Sequence, residues 1–162
     1  MNEAVTTVAR RTLTTLDVFR AGRPLVLDFW NTRCSKCPTA LAKMDSLASK
    51  FSASTISVAC ALSLGSQSTT IDDVEELAGA FPNLEHVYMD FDTKERVKKT
   101  LNFTSLPFAV AYDSNANIIC QGDPMNVEFA LALNEFLDSF QTQGDAPNSS
   151  TSHIHAPGNI GP

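Results

Sequence analysis

The sequence predicts an α/β protein: a mixed central sheet with helices on both faces, closed by a C-terminal hairpin and a helix. Three observations carry that prediction. Apolar runs of strand length alternate with helical periodicity from Leu25 to about Asn102. Two strand-like runs then follow each other across the turn "SNAN". A strongly amphipathic segment closes the ordered part. With 162 residues the chain has room for one domain and some spare length. The division read from composition is an N-terminal extension over 1–13, a domain over 14–140 and a disordered tail over 141–162.

The elements follow in order. "TTLDVFRAGRP" (14–24) reads as a short capped helix, with Thr at its start, Gly22 past its end and Pro24 after that. "PLVLDFW" is a nearly continuous apolar run, the mark of a strand buried on both faces. After Ser35, Leu41, Met44, Leu47, Ala48 and Phe51 fall at helical spacing, so a helix of about four turns follows the cysteines. "TISVACALS" (55–63) is a second buried strand. "STTIDDVEELAGAF" (68–81) is a helix with a Thr cap and acids in its first turn. "LEHVYMDFD" is a third strand and "TKERVKKTLN" a short basic helix. "FAVAYD" and "IICQG" make the hairpin, and "MNVEFALALNEFLDSF" (125–140) the closing helix. From Gln141 the composition is Ser, Thr, Asn, Gly and Pro, with little to bury.

Charge excludes some partners. The net charge is −6, and all 12 Lys and Arg lie within residues 1–99 while residues 100–162 hold acids and no base. Nucleic acid and anionic membrane are therefore not expected as partners. No stretch approaches the roughly 18 apolar residues of a membrane span. The N-terminus lacks the apolar block of a secretory signal and only faintly has the character of a mitochondrial presequence, so a cytoplasmic location is expected. In such a compartment four cysteines do not make a disulfide framework.

The chemistry concentrates in "DFWNTRCSKCP" (28–38). Cys34 stands at a strand-to-helix junction and Cys37 one turn in. A helix N-terminus favours a thiolate on Cys34, and Arg33 and Lys36 add cationic charge. A nucleophile and a resolving thiol at that spacing form a two-step exchange centre. Zinc would need further ligands, for which His153 and His155 of the tail are the candidates by type. A copper-passing pair is a further alternative, because soft thiolates suit Cu(I). Asp28 lies within an apolar strand, where an ionised acid is costly. Buried there, it would have a raised pKa and could exchange a proton with Cys37 through water. Pro107, in "FTSLPFAVAY", is either a strand-start proline or the second residue of a cis Leu106–Pro107 bond. A cis bond would present the Leu106 backbone to an extended substrate.

Together these residues resemble the thioredoxin superfamily. "DFWNTRCSKCP" is similar to its strand-to-helix motif and "FTSLPFAVAYD" to its cis-proline strand. The extra strand and helix over roughly 55–81 resemble the insertion in thiol reductases of bacterial cytochrome maturation, tryparedoxins and nucleoredoxins. The resemblance implies a thioredoxin fold over about 14–140. It makes Cys34 the attacking nucleophile, Cys37 the resolving thiol and Asp28 the proton acceptor. Trp30 becomes the aromatic packed under the active-site loop, and Pro107 the residue that aligns substrate. Two departures stand out. Arg33 occupies a position that is commonly Trp in the family, and Ser35-Lys36 replaces the Gly-Pro usual in thioredoxins.

The function implied is thiol–disulfide exchange with protein clients, using Cys34, Cys37 and Asp28, with Trp30, Arg33, Leu106 and Pro107 around the substrate. No GxGxxG or other flavin or nicotinamide motif is present, so no cofactor is expected and a separate reductase or dithiol donor must recycle the pair. The other class is a subunit of a larger assembly, as in the thioredoxin-type light chains of ciliary dyneins. Cys60 alternates with Val58 and Leu62 as a core residue, and Cys120 lies nearer a strand end. Glu85, Asp90 and Asp92 read as solvated or capping residues, with no metal cluster. The sequons at 102–104 and 148–150 have no accompanying sign of secretion.

Overall fold

The computed structural model describes residues 4–7, 12–14, 22–64 and 71–144. In chain order these form β1 (Ala4–Thr7), β2 (Thr12–Thr14), β3 (Leu25–Trp30), α1 (Cys37–Phe51), β4 (Ile56–Leu62), α2 (Ile71–Ala78), β5 (Glu85–Met89), α3 (Phe91–Leu101), β6 (Phe108–Tyr112), β7 (Ile118–Gly122) and α4 (Val127–Gly144). One sheet holds all the strands in the order β2-β1-β5-β4-β3-β6-β7. β3, β4 and β5 run parallel, and the flanking pairs are antiparallel.

The apolar run of β3 is buried at all six positions. It pairs along its length with β4 on one side and β6 on the other. Alternation along the strand then divides the core. Leu25, Leu27 and Phe29 join Val58, Cys60 and Leu62, with Val97 and Leu101 of α3 covering that face. Val26 and Trp30 point the other way, under Leu41 and Met44 of α1 and Phe129, Leu133 and Leu137 of α4. On the α3 face, the Phe103 and Phe108 rings stack at 4.3 Å, with Phe29 tilted against Phe103 at 5.2 Å.

Polar contacts fix the joints. Lys43 of α1 donates to the Pro124 carbonyl at 2.7 Å. The Asp45 carboxylate accepts from the Asn83 backbone and side-chain amides at 2.8 and 2.9 Å. The "SNAN" turn closes as expected: Asp113 Oδ1 accepts from the Asn115 and Asn117 backbone amides at 2.8 Å, and Ala116 takes φ +66°.

Several boundaries differ from the sequence reading. Strands β1 and β2 fall in and beside the stretch read as an extension, and β1 pairs antiparallel with β5. Thr14 is the last residue of β2; residues 15–21 of the helix expected over 14–24 lie outside the described residues. Gly22 has φ +65°, the left-handed conformation expected after a helix end. The Thr cap expected for α2 falls in 65–70, also outside them. Phe91 and Asp92 belong to α3 and not to the preceding strand. Asp90 caps that helix, its Oδ1 accepting from the Thr93 amide at 2.8 Å. α4 begins two residues later than expected, where Asn126 Oδ1 accepts from the Glu128 amide at 2.7 Å, and it continues to Gly144. Residues 145–162, with most of the expected tail and His153 and His155, lie outside the described residues.

The orientation of α4 is testable by two leucines. Leu133 is 1 % exposed and Leu131 64 % exposed. Leu133→Ala is expected to lower the unfolding free energy by about 2–5 kcal/mol. Leu131→Ala should change it by no more than about 0.5 kcal/mol. Urea unfolding of both variants checks this, and equal losses would contradict the orientation.

Candidate active site

Six residues, 31–36, connect the end of β3 to the start of α1. Two turns shape the connection. The Cys34 amide donates to the Asn31 carbonyl and the Cys37 amide to the Cys34 carbonyl, both at 3.2 Å. The Arg33 amide donates to Asn31 Oδ1 at 3.0 Å. This geometry brings the Cys34 and Cys37 Cα atoms to 5.4 Å, and the two side chains form a disulfide. Cys34 is partly exposed and Cys37 is fully buried. Cys37 is the first residue of α1 and does not lie a turn inside it, so both sulfurs belong to the helix entrance.

Among the described residues, that entrance has no acid in its first turn and no side-chain cap. α2, α3 and α4 each carry an acid in the first turn. Pro38 in the first turn removes one orphan donor, and the remaining amides keep their partial positive charge. Arg33 and Lys36 stand exposed on either side of Cys34. An anionic sulfur on Cys34 is the species this electrostatic arrangement favours.

Beneath the loop, Asp28 is buried and neither carboxylate oxygen has a hydrogen-bond partner among the described residues. Its strand neighbours are Ala59 and Ala109, whose side chains carry no polar group to pair with it. By alternation it shares the face of Val26 and Trp30, the face that holds Cys37. Burial first, and then the charge of Asp123, push its carboxyl well above the ordinary range. Trp30 is fully buried in the same cluster. Cys60 points to the opposite face with Val58 and Leu62, and burial raises its thiol pKa. Cys120 is half-buried on β7, its pKa also raised by burial.

A cleft of about 520 Å³ opens beside Cys34, lined by Arg33, Lys36, Leu62, Lys94, Lys98 and Leu106 among others. The Leu106–Pro107 peptide bond is cis. Leu106 is partly exposed in the cleft, and Pro107 is buried behind it. The structure thus brings Arg33, Cys34 and Leu106 to one cleft and keeps Asp28, Trp30 and Cys37 underneath. The sequence reading missed Lys94, Lys98 and Asp123. The basic composition of 93–102 is visible in the sequence, but nothing in it points towards Cys34, and nothing in the sequence singles out Asp123. Among the described residues no group of three or more His, Cys, Asp or Glu could hold a metal ion. No helix among them is long and apolar enough to cross a membrane.

The backbone matches known structures over most of its length. An exposed lipoprotein thioredoxin from Streptococcus pneumoniae superposes with a TM-score of 0.67 over 86 % of this chain and 99 % of that one, at 16 % identity. The chain has the thioredoxin fold. A putative thiol:disulfide interchange protein DsbE from Chlorobium tepidum aligns with a TM-score of 0.66 at 18 % identity, covering 86 % of this chain and 92 % of the other. A thiol:disulfide interchange protein from Bacteroides sp. gives 0.68 at 14 % identity over 96 % and 94 %. No protein-family model matches the chain, and no curated protein matches its sequence. Within the thioredoxin fold, the disulfide occupies the loop after a doubly buried strand, with the cis proline at the head of the adjacent strand.

Asp28 makes stability depend on pH. Its folded pKa lies above the unfolded value of about 3.9. Between those two values the folded state binds more protons, so stability falls as pH rises through the interval and is level above it. Asp28→Asn removes that loss. The stability of Asp28→Asn relative to the parent should therefore rise from pH about 4 upward and then level off. Urea unfolding of the oxidised proteins across pH tests this, and a difference independent of pH would contradict the raised pKa.

Proposed function

We propose that this protein is a thiol–disulfide oxidoreductase acting on protein disulfides. The observation that carries the reading is a partly exposed Cys34 bonded to a buried Cys37 at a helix entrance with no acid in its first turn. The Cys34 thiolate attacks a client disulfide, forming a Cys34–client bond and releasing the first client thiolate. Cys37 then attacks Cys34, restoring the intramolecular disulfide and releasing the second client thiolate. Two electrons pass from protein to client. Asp28 takes the Cys37 proton through water and returns it in the reverse direction, a role supported by its burial and raised pKa.

Arg33, Leu106 and Pro107 flank the client, and Trp30 holds the loop from below. An extended client segment pairs with the Leu106 backbone, a reading supported by the exposure of Leu106 in the cleft. A separate dithiol donor recycles the disulfide. A reducing cytoplasm suits the two thiols that remain free, Cys60 and Cys120. The thioredoxin-like unit expected over 14–140 shares its sheet with β1 and β2, and its last helix continues to Gly144.

A second reading, docking within a larger assembly, draws support from Val127, Leu131, Ile118 and Ile119, which are exposed at the β7–α4 end.

Replacing Cys37 with Ser removes the resolving thiol. In cells of origin, Cys37→Ser should accumulate mixed disulfides visible on a non-reducing gel, and Cys34→Ser in the same background should abolish them. A blank gel with the protein held in a stable complex would favour the assembly reading. The cations around Cys34 stabilise the reduced form, so the pair should be more oxidising than thioredoxin, above about −270 mV. A redox titration giving a value at or below that figure would refute this.

A further inference from the structure

We propose that the cleft beside Cys34 selects disulfides flanked by carboxylates, so that the client presents an anionic segment. This inference rests on the oxidoreductase reading and adds its substrate class.

Four cations, Arg33, Lys36, Lys94 and Lys98, line the cleft, and among the described residues no acid does. The protein as a whole carries −6, so the cleft opposes the sign of the molecule. Its cations come from two distant segments, the active-site loop and α3, which the fold brings together. Lys94 is held in place: its Nζ donates to the Ser63 carbonyl at 2.9 Å and sits 4.3 Å from the centroid of the Phe91 ring. Its side chain is 13 % exposed.

The acid nearest these lysines does not cancel them. Glu95 lies 3.4 Å from Lys94 and 3.9 Å from Lys98, and its side chain is 50 % exposed. One solvated carboxylate shared by two lysines leaves positive charge over. Among the described residues, Arg33 and Lys36 make no ion pair. Residues 65–70, which follow Leu64 of the cleft wall, are Gly, Ser, Gln and Thr and carry no charge wherever they lie. The uncapped start of α1 adds to the same field.

The cleft volume falls within the roughly 300–1,000 Å³ range of ligand sites. Leu62, Phe103 and Leu106 supply apolar contact beside the charges. Carboxylates on either side of a client disulfide would therefore meet fixed cations while the disulfide faces Cys34. The exchange step is the one above: the client disulfide is reduced, the protein dithiol is oxidised, and an external dithiol donor restores it. The same chemistry describes a free carboxylate-bearing disulfide and an acidic segment of a folded protein.

The test uses the full chain, reduced with dithiothreitol and freed of it. Oxidation of the cysteine pair is followed by stopped-flow Trp30 fluorescence and by thiol quenching on a gel. The substrates are peptide disulfides identical except for Glu, Gln or Lys beside each cysteine. At about 10 mM ionic strength the Glu peptide should react about tenfold or more faster than the Lys peptide. The ratio should fall towards one in about 1 M salt, where the screening length is about 3 Å. Lys98→Glu alters a partly exposed position of α3 and should lower the ratio several-fold at low salt; charge reversal at Lys36 provides a second variant. A Glu-to-Lys ratio at or below one at low salt overturns the proposal and leaves the exchange reading intact. No reaction with any of the three peptides would instead sink the exchange reading itself. Oxidised glutathione is the arm for a small free disulfide. A rate above that of the Glu peptide assigns the preference to small molecules, and a lower rate assigns it to protein segments.

Discussion

Burial of β3 on both faces is the constraint from which the site follows. A strand with no solvent face must be covered by helices on each side and hydrogen-bonded at both edges, and β3 has all four neighbours. Its C-terminal end then has one way out of the sheet, over the layer containing α1. The loop that makes this exit carries Cys34, and the helix that follows opens on Cys37. The antiparallel neighbour β6 begins opposite Phe29, which brings Leu106 and Pro107 to the same end of the sheet. Cys34, Cys37 and the cis proline converge because one strand is central.

The same constraint exacts a cost at Asp28. A residue in that strand cannot reach solvent, and the alanines opposite it offer no donor. The carboxyl is consequently held towards its neutral form, and the Asp123 charge acts in the same direction. Replacing an unpaired buried acid with an apolar residue is a change that core packing alone would favour. Its position on the Cys37 face is what the proposed proton-exchange role rests on, since a group with a lifted pKa lies on the side of the sheet that holds the thiol pair.

Much of this was legible in the residues. The unbroken apolar run of β3, the helical spacing from Leu41 to Phe51 and the turn residues of 114–117 each specify local structure with a strong periodic or chemical signal. Other features lacked such a signal. β1 and β2 are four and three residues long, too short for periodicity to register, and their pairing depends on β5 from far along the chain. Phe91 continued an apolar strand pattern, and the Asp90 side chain overrode it by capping the helix one residue earlier. Leu131 is exposed beside buried Leu133 because it lies off the stripe of Phe129, Leu133 and Leu137 that meets the sheet, and an extra apolar residue blurs the edge of that stripe in the sequence.

The charge around Cys34 was legible only by halves. Arg33 and Lys36 adjoin the cysteine in sequence, whereas Lys94 and Lys98 lie about sixty residues away on a helix covering the opposite face of the sheet. They reach the cleft because α3 runs along the end of β4, where the Ser63 carbonyl receives Lys94. Net charge conceals such an arrangement, because −6 spread over a surface is compatible with a concentrated patch of the other sign. Field in a concave site is set by the nearest fixed charges and the low-dielectric walls, more than by the sum over the molecule. An acidic chain that gathers four cations around Cys34 therefore combines a net charge that repels anions with local attraction at one place. For the proposed anionic client, this opposition of signs is a stronger basis for selectivity than a uniformly basic surface would be, since the net charge opposes binding at large while the cleft favours it.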